Sequence, residues 1–293
     1  MYRRAPDLAA LLQQIVRGAD ATPWRVRHSE KVRINYVRRG QGKSLLLVHG
    51  LGSSWRSWQS VMEPLAAKRS VTAIDLPGFG KSPPLDGEVS LQTLADALAQ
   101  FLREHELIGT DAAGSSIGAR LLLELARRGG VVGSVVSLGP GGFWVGWERF
   151  VFAASVWFSH RLAQSLQFAM PTLIAHDWSR SLLLAQFSVQ PAALPPSMVL
   201  EEMRSYASAR SYGAVLRALL REPAQQGADA GSLARPLVIG WGRLDRVCLP
   251  RQAARALQLY PGARLHWFER CGHFPHWDAP EETTRLILEA TAD

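Results

Sequence analysis

Ser116 is the residue of this sequence best framed for nucleophilic chemistry. It lies in Gly114-Ser115-Ser116-Ile117-Gly118, a G-x-S-x-G pattern that places the serine on a tight turn between a strand and a helix. The flanking glycines leave room for the turn, and the helix N-terminus behind it favours negative charge developing beside the hydroxyl. Five residues with three fixed positions also arise by chance, so the pattern needs partners. A serine hydroxyl is a poor nucleophile at neutral pH; it requires an adjacent base, and the base requires an acid to orient it. On a parallel sheet with this turn, the expected order is serine, acid, histidine, each just past a strand end. Asp245 in Gly242-Arg-Leu-Asp-Arg-Val247 and His273 in Cys271-Gly-His-Phe-Pro-His-Trp-Asp-Ala-Pro280 fill those places.

The elements that must position this trio follow from hydropathy patterning. Residues 5–18 have helical spacing (Leu8, Leu11, Leu12, Ile15, Val16), and 24–39 alternate as two antiparallel strands turning near Ser29-Glu30. Continuous apolar runs at 45–48 and 71–74 predict strands buried on both faces, with a helix at 55–68 between them. Ser90 is a plausible N-cap for a helix reaching His105. Small residues at 110–113 lead into the serine turn and its helix, and 131–138 is another buried strand. This alternation predicts an α/β fold with a mostly parallel central sheet flanked by helices. From Phe143 to Ser232 the alternation stops, and four or five helices broken at Pro171, Pro191 and Pro195-Pro196 are expected, rich in aromatic residues. Strands at 237–241 and 264–268, with helices near 250–259 and after Pro280, resume the pattern. The expected division is a core of residues 1–142 and 233–293 with an all-helical segment, 143–232, inserted between two core strands.

By these motifs the chain resembles the α/β-hydrolase superfamily, in its serine esterase and lipase-like branch with a helical cap. The resemblance rests on His49-Gly50 with Trp58 downstream, Asp75-Leu-Pro-Gly-Phe-Gly-Lys-Ser82, Gly114-Ser-Ser-Ile-Gly118, Gly242-Arg-Leu-Asp245 and Gly272-His273. It implies Ser116 as nucleophile, His273 as general base and acid, and Asp245 as the residue that holds the imidazole. It also implies an oxyanion hole from the backbone N–H groups of Leu51 and Ile117, so Leu51→Ala should matter little and distortion of Gly50 greatly. His49 would shape that loop through side-chain hydrogen bonds, Asp75 would form a turn, and His276 would be a rim or structural residue. The segment 143–232 would be the cap, with Phe143, Trp144, Trp147 and Phe274 as candidate pocket residues. Two features depart from the family's habit: Ser115 stands where histidine is common, and the strand before the turn is small rather than bulky. Such a strand either packs closely or widens the space beneath the site.

Composition narrows the function classes. The 293 residues are 47% hydrophobic and 20% charged, which suits a globular chain and excludes a disordered one. The net charge is +8 and only four of 33 basic residues are Lys, but the arginines are scattered, without the strips that mark nucleic-acid binding. Cys248 and Cys271 are too few for a disulfide scaffold and predict a reducing, cytoplasmic setting, although they flank the acid and base loops and could approach each other. The N-terminus lacks the apolar run of a signal peptide, and no apolar stretch reaches the roughly 18 residues of a spanning helix. His160 and His176 lie in the inserted segment, where contact with substrate and a plain structural role both stay open. No H-E-x-x-H-like spacing suggests a metal, and no cofactor is expected. The expected reaction is hydrolysis of an apolar small-molecule ester through an acyl-enzyme. A carbon–carbon bond hydrolase, lactonase, thioesterase or perhydrolase-type haloperoxidase on the same triad is the alternative, and a hydrolase-derived small-molecule receptor is the alternative of another class. The apolar insertion and positive charge permit membrane-surface association without making a membrane an obligate partner.

Overall fold

A computed structural model describes residues 33–292. The helix expected at 5–18, and the first of the two strands expected in 24–39, lie outside the described residues. The elements in chain order are β1 (Tyr36–Arg39), β2 (Ser44–Val48), α1 (Gln59–Ala66, entered through a 3-10 turn at Trp55–Trp58), β3 (Ser70–Ile74), α2 (Leu91–Glu104), β4 (Asp111–Ser115), α3 (Ile117–Arg128) and β5 (Val135–Leu138). Five helices follow without a strand: α4 (Glu148–Ser165), α5 (Met170–Ala175), α6 (Asp177–Leu184), α7 (Pro196–Ser208) and α8 (Tyr212–Arg221). Then come β6 (Leu237–Gly242), α9 (Gln252–Leu259), β7 (Arg264–Phe268), α10 (Pro275–Asp278) and α11 (Pro280–Ala290). This is the α/β-hydrolase fold that the motifs imply.

Among the described residues seven strands form one sheet in the order β1-β3-β2-β4-β5-β6-β7, and only the β1–β3 pairing is antiparallel. Alternate residues of β2 feed opposite faces, Leu46 and Val48 into one apolar cluster and Leu45 and Leu47 into the other. That is why the run reads as continuously apolar rather than alternating. Truncating one of these fully buried leucines to alanine costs about 2–5 kcal/mol. Ser90 caps α2 as expected, in a reciprocal arrangement with Thr93. The strand expected over 131–138 shortens to 135–138. Its lead-in is taken up instead by Asp111, which accepts from the Ser134 N–H and pairs with Lys43 at 2.9 Å.

The small residues of β4 pack closely. A Cβ at Gly114 would stand 2.6 Å from the backbone of Gly118, and one at Gly118 would collide with the carbonyls of Val48 and His49. Helix α3 therefore lies directly on the sheet where β4 ends, and the serine turn is fixed by backbone against backbone. The helices α4 to α8 gather around α7, which packs against α4, α5 and the 3-10 turn after β2.

Candidate active site

The backbone at Ser116 stands at φ 55°, ψ −113°, a region a residue with a Cβ rarely adopts. Its N–H donates to the Leu138 carbonyl at 2.9 Å and its own carbonyl accepts from Arg120 at 3.0 Å, so β5 and α3 hold the turn from both sides. Asp245 follows β6. Its Oδ1 accepts from the N–H groups of Val247 (2.8 Å) and Cys248 (2.9 Å), leaving Oδ2 to face His273 Nδ1 at 2.8 Å. An ionised carboxylate only accepts, so Nδ1 carries the proton and Nε2 presents its lone pair. The His273 N–H in turn donates to the Phe187 carbonyl at 2.9 Å. Ser116 and His273 line one cavity, and both are almost fully buried.

The loop after β2 is built around His49. Its Nε2 accepts from the Leu76 N–H at 2.9 Å, so Nδ1 is the protonated nitrogen and donates to the Gly50 carbonyl at 2.7 Å. Burial holds this imidazole below its ordinary pKa, in keeping with a neutral structural ring. Asp75 closes the neighbouring turn, accepting from Trp55 N–H, Asn35 Nδ2 and Lys81 N–H. The Leu51 N–H has no acceptor among the described residues, and Ile117 opens α3, where the first amides of a helix have no partner within it. Leu51 lines the same cavity as Ser116.

Of the four aromatics expected to line the pocket, only Phe274 does. Phe143 packs against Trp241 of β6 and Tyr260, Trp144 stacks on Phe152 at 4.9 Å, and Trp147 points outward beneath Arg251. They follow β5 in the chain, and Trp144 backs the cavity from behind Phe152. The cavity is closed instead by Phe152 and Val156 of α4, Phe187, Tyr206 of α7, Tyr212 of α8 and Val247. The two tyrosine hydroxyls lie 3.0 Å apart and both donate to the Val156 carbonyl, at 3.0 and 2.7 Å. No motif announces them. His160 is structural: it is buried, stacks on Tyr212 at 3.7 Å, and burial depresses its pKa to about 4. His176 is exposed.

His276 is not at the rim. It is fully buried, stacked on Trp58 at 4.4 Å, and burial pushes its pKa down to about 3. Asp278 is a residue that sequence reasoning overlooked. It accepts from Gly272 N–H at 2.7 Å, Val189 N–H at 3.1 Å and the Ser188 hydroxyl, tying the histidine loop to the segment that carries Phe187. Both cysteines are free and buried; burial raises the Cys248 thiol well above its ordinary pKa and the Cys271 thiol to about 12. No helix among the described residues is long and apolar enough to cross a membrane.

A family model described as "Alpha/beta hydrolase family" matches residues 45–286. The 2-hydroxy-6-oxononadienedioate/2-hydroxy-6-oxononatrienedioate hydrolase of Paraburkholderia xenovorans is 29% identical, over 89% of this chain and 91% of its own. That of Dechloromonas aromatica is 27% identical over 88% and 90%. Among solved structures, a membrane phospholipase A described as a bacterial virulence factor is 25% identical and superposes with a TM-score of 0.71, covering 91% of this chain and 86% of its own.

Proposed function

The chain belongs to the alpha/beta hydrolase family, and within it we propose a serine hydrolase that cleaves carboxylic esters with apolar acyl or aromatic groups. The observation that carries this reading is the serine forced to φ 55° beside a histidine whose Nδ1 is held by Asp245, both facing one apolar cavity. In the proposed sequence, Ser116 Oγ attacks the ester carbonyl as its proton passes to His273 Nε2. The oxyanion is held by the N–H groups of Leu51 and Ile117, and losing one such donor costs on the order of 3–4 kcal/mol. Collapse of the tetrahedral adduct expels the alcohol, which takes the proton from His273. Water then gives a proton to the same nitrogen and attacks the acyl-enzyme, and collapse of this second adduct breaks the acyl–Oγ bond, releasing the acid as Ser116 Oγ takes the proton back from His273. Asp245 keeps the ring in the working tautomer and stabilises the imidazolium.

Helices α4 to α8 are read as a cap. Their residues line a narrow cavity of about 20 Å³ beside Ser116, room for roughly one water, and Phe152, Phe187, Tyr206 and Tyr212 are the side chains that set its width. The free thiols support a reducing, cytoplasmic setting.

A second reading, carbon–carbon bond hydrolysis on the same triad, is favoured by the two dioate hydrolases among the relatives. Their named substrates carry two carboxylates, whereas no Lys or Arg among the described residues lines this cavity, which is why the ester reading is preferred. A turnover series on p-nitrophenyl esters of rising chain length separates the two. Ester hydrolysis abolished in Ser116→Ala supports the proposal, and full activity in that variant sinks it. Absence of turnover on every ester, with a fluorophosphonate still labelling Ser116, transfers the assignment to the carbon–carbon branch.

A further inference from the structure

Helix α4 is apolar on two opposite faces, and among the described residues only one of them is covered. Phe152, Ala153, Val156, His160 and Ala163 face inward and are buried, and two of them line the cavity beneath. At about 100° per residue, Trp147, Phe150, Val151, Phe158 and Leu162 fall within an arc of roughly 120° on the other side. All five are exposed, Trp147 at 62% and Phe158 at 63%. The stripe runs the whole length of the 18-residue helix, and Phe168, just past its end, is 88% exposed. Trp178 and Leu182, four residues apart on α6, are also exposed. A helix that is apolar all round is normally buried all round, and exposed apolar residues in this concentration mark an interaction surface.

We propose that the outer face of α4, together with Phe168, docks the protein onto an anionic lipid surface, with the helix lying in the plane of the interface. Charge decides between occupants. The chain carries a net charge of +8. The one acid of α4, Glu148, is buried and held by Arg251 and Arg255 at 2.6 and 2.7 Å, so the exposed stripe bears no carboxylate. Its one charge is Arg161, and Arg251 leans over the Trp147 ring at 5.5 Å. Tryptophan, phenylalanine and arginine together suit a boundary where apolar rings enter the acyl layer and guanidinium groups stay among anionic headgroups. A second copy of this face would instead set arginine against arginine, with no acid to pair either.

The test is co-sedimentation of the full-length protein with vesicles of phosphatidylcholine alone and of phosphatidylcholine with phosphatidylglycerol, read beside Trp fluorescence. The expected result is binding to the anionic vesicles with a blue shift, weakened by salt. Phe158→Ser and Phe168→Ser each weaken it by about tenfold or more, the effect of withdrawing a Phe side chain from an apolar phase. Arg161→Glu weakens binding to anionic vesicles only. These side chains are exposed, so circular dichroism and the melting midpoint should match the wild type. Failure of the wild-type protein to sediment with anionic vesicles overturns the proposal, as does binding that the Phe variants leave unchanged. A dimer in sedimentation velocity that Phe158→Ser dissociates, with no vesicle binding, assigns the face to a second copy and also overturns it.

Discussion

The loops at the carboxyl ends of the strands and the helices of residues 148–221 enclose the same cavity but are built by different means. In the loops, the side chains that shape the site are held by directed bonds: His49 uses both ring nitrogens, Asp75 accepts three bonds, and Asp245 accepts two amides before it meets His273. In the helices the contacts that close the cavity are mainly aromatic. Buried polar atoms without a partner flank both regions, Ser115 Oγ and the His276 ring nitrogens beside the loops and His160 Nδ1 and Arg180 Nε in the helices, and the Glu202 carboxyl is buried facing Ser53. A hydrogen-bonded loop is fixed to tenths of an ångström by directional bonds, whereas an apolar wall fills space with little directional preference. Changes in the first region should therefore act on rate, and changes in the second on fit and stability.

Ser116→Ala is the sharpest test, with kcat expected to fall on the order of 10⁶-fold. Ser115 is its control, since that hydroxyl is fully buried without a partner, so Ser115→Ala should keep activity within a few-fold. Equal losses in both would undo the assignment of the nucleophile. Asp245→Asn should cost on the order of 10⁴-fold in kcat, because an amide at Oδ2 no longer enforces the protonated Nδ1. Steady-state kinetics on one ester measures all three.

The two regions touch at Gly52, and there the sequence-based expectation needs refining. Gly50, singled out by its motif, is tight but not blocked: a Cβ would meet the Ser116 Cβ at 3.3 Å, which must give by a few tenths of an ångström, and the Phe274 ring at 3.5 Å. Gly52 holds φ +82°, and a Cβ there would collide with the Tyr206 ring of α7. Gly52→Ala should displace the Leu51 N–H and lower kcat about 10²-fold, the scale of losing one oxyanion donor. Gly50→Ala should cost less, and Leu51→Ala least, since a backbone amide is the donor. The reverse ranking would mean that α7 yields to the loop.

The same contrast explains what could be read from the residues alone. The serine turn, acid loop and histidine loop follow from motif spacing, because directional chemistry restricts residue types: glycine where backbones touch at 114 and 118, acid and histidine where one atom meets another. The helices of 148–221 were expected from proline breaks and the loss of strand pattern. Their inward faces were not legible, because α4 is apolar on both sides and its pattern cannot distinguish Phe152 from Phe150. Trp147 and Phe152 are equally good pocket candidates by composition; only the packing of α4 against α7 turns one out and the other in. Tyr206 and Tyr212 belong to no motif, and their pairing depends on the bend between α7 and α8.

Glu202 gives the smallest predicted effect, and it reports on stability rather than on rate. The carboxyl sits on α7, and burial raises its pKa to about 7, with Ser53 opposing the shift and the Asp75 and Glu201 charges adding to it. Between the ordinary pKa of 4.5 and about 7, the folded protein keeps a proton that the unfolded chain has released. Stability must therefore fall as pH rises through that window. Below it both states are protonated and the site contributes no pH dependence; above it both are ionised and the penalty is complete. The penalty is on the order of 3–4 kcal/mol, at about 1.4 kcal/mol per pKa unit. Glu202→Gln cannot ionise, so it should melt with the wild type near pH 4.5 and several degrees higher at pH 8. Melting curves across that range decide the point. A constant offset at every pH would mean that the variant repacks α7, and no offset at pH 8 would mean that water reaches the carboxylate, making this wall of the cavity looser than the loops it faces.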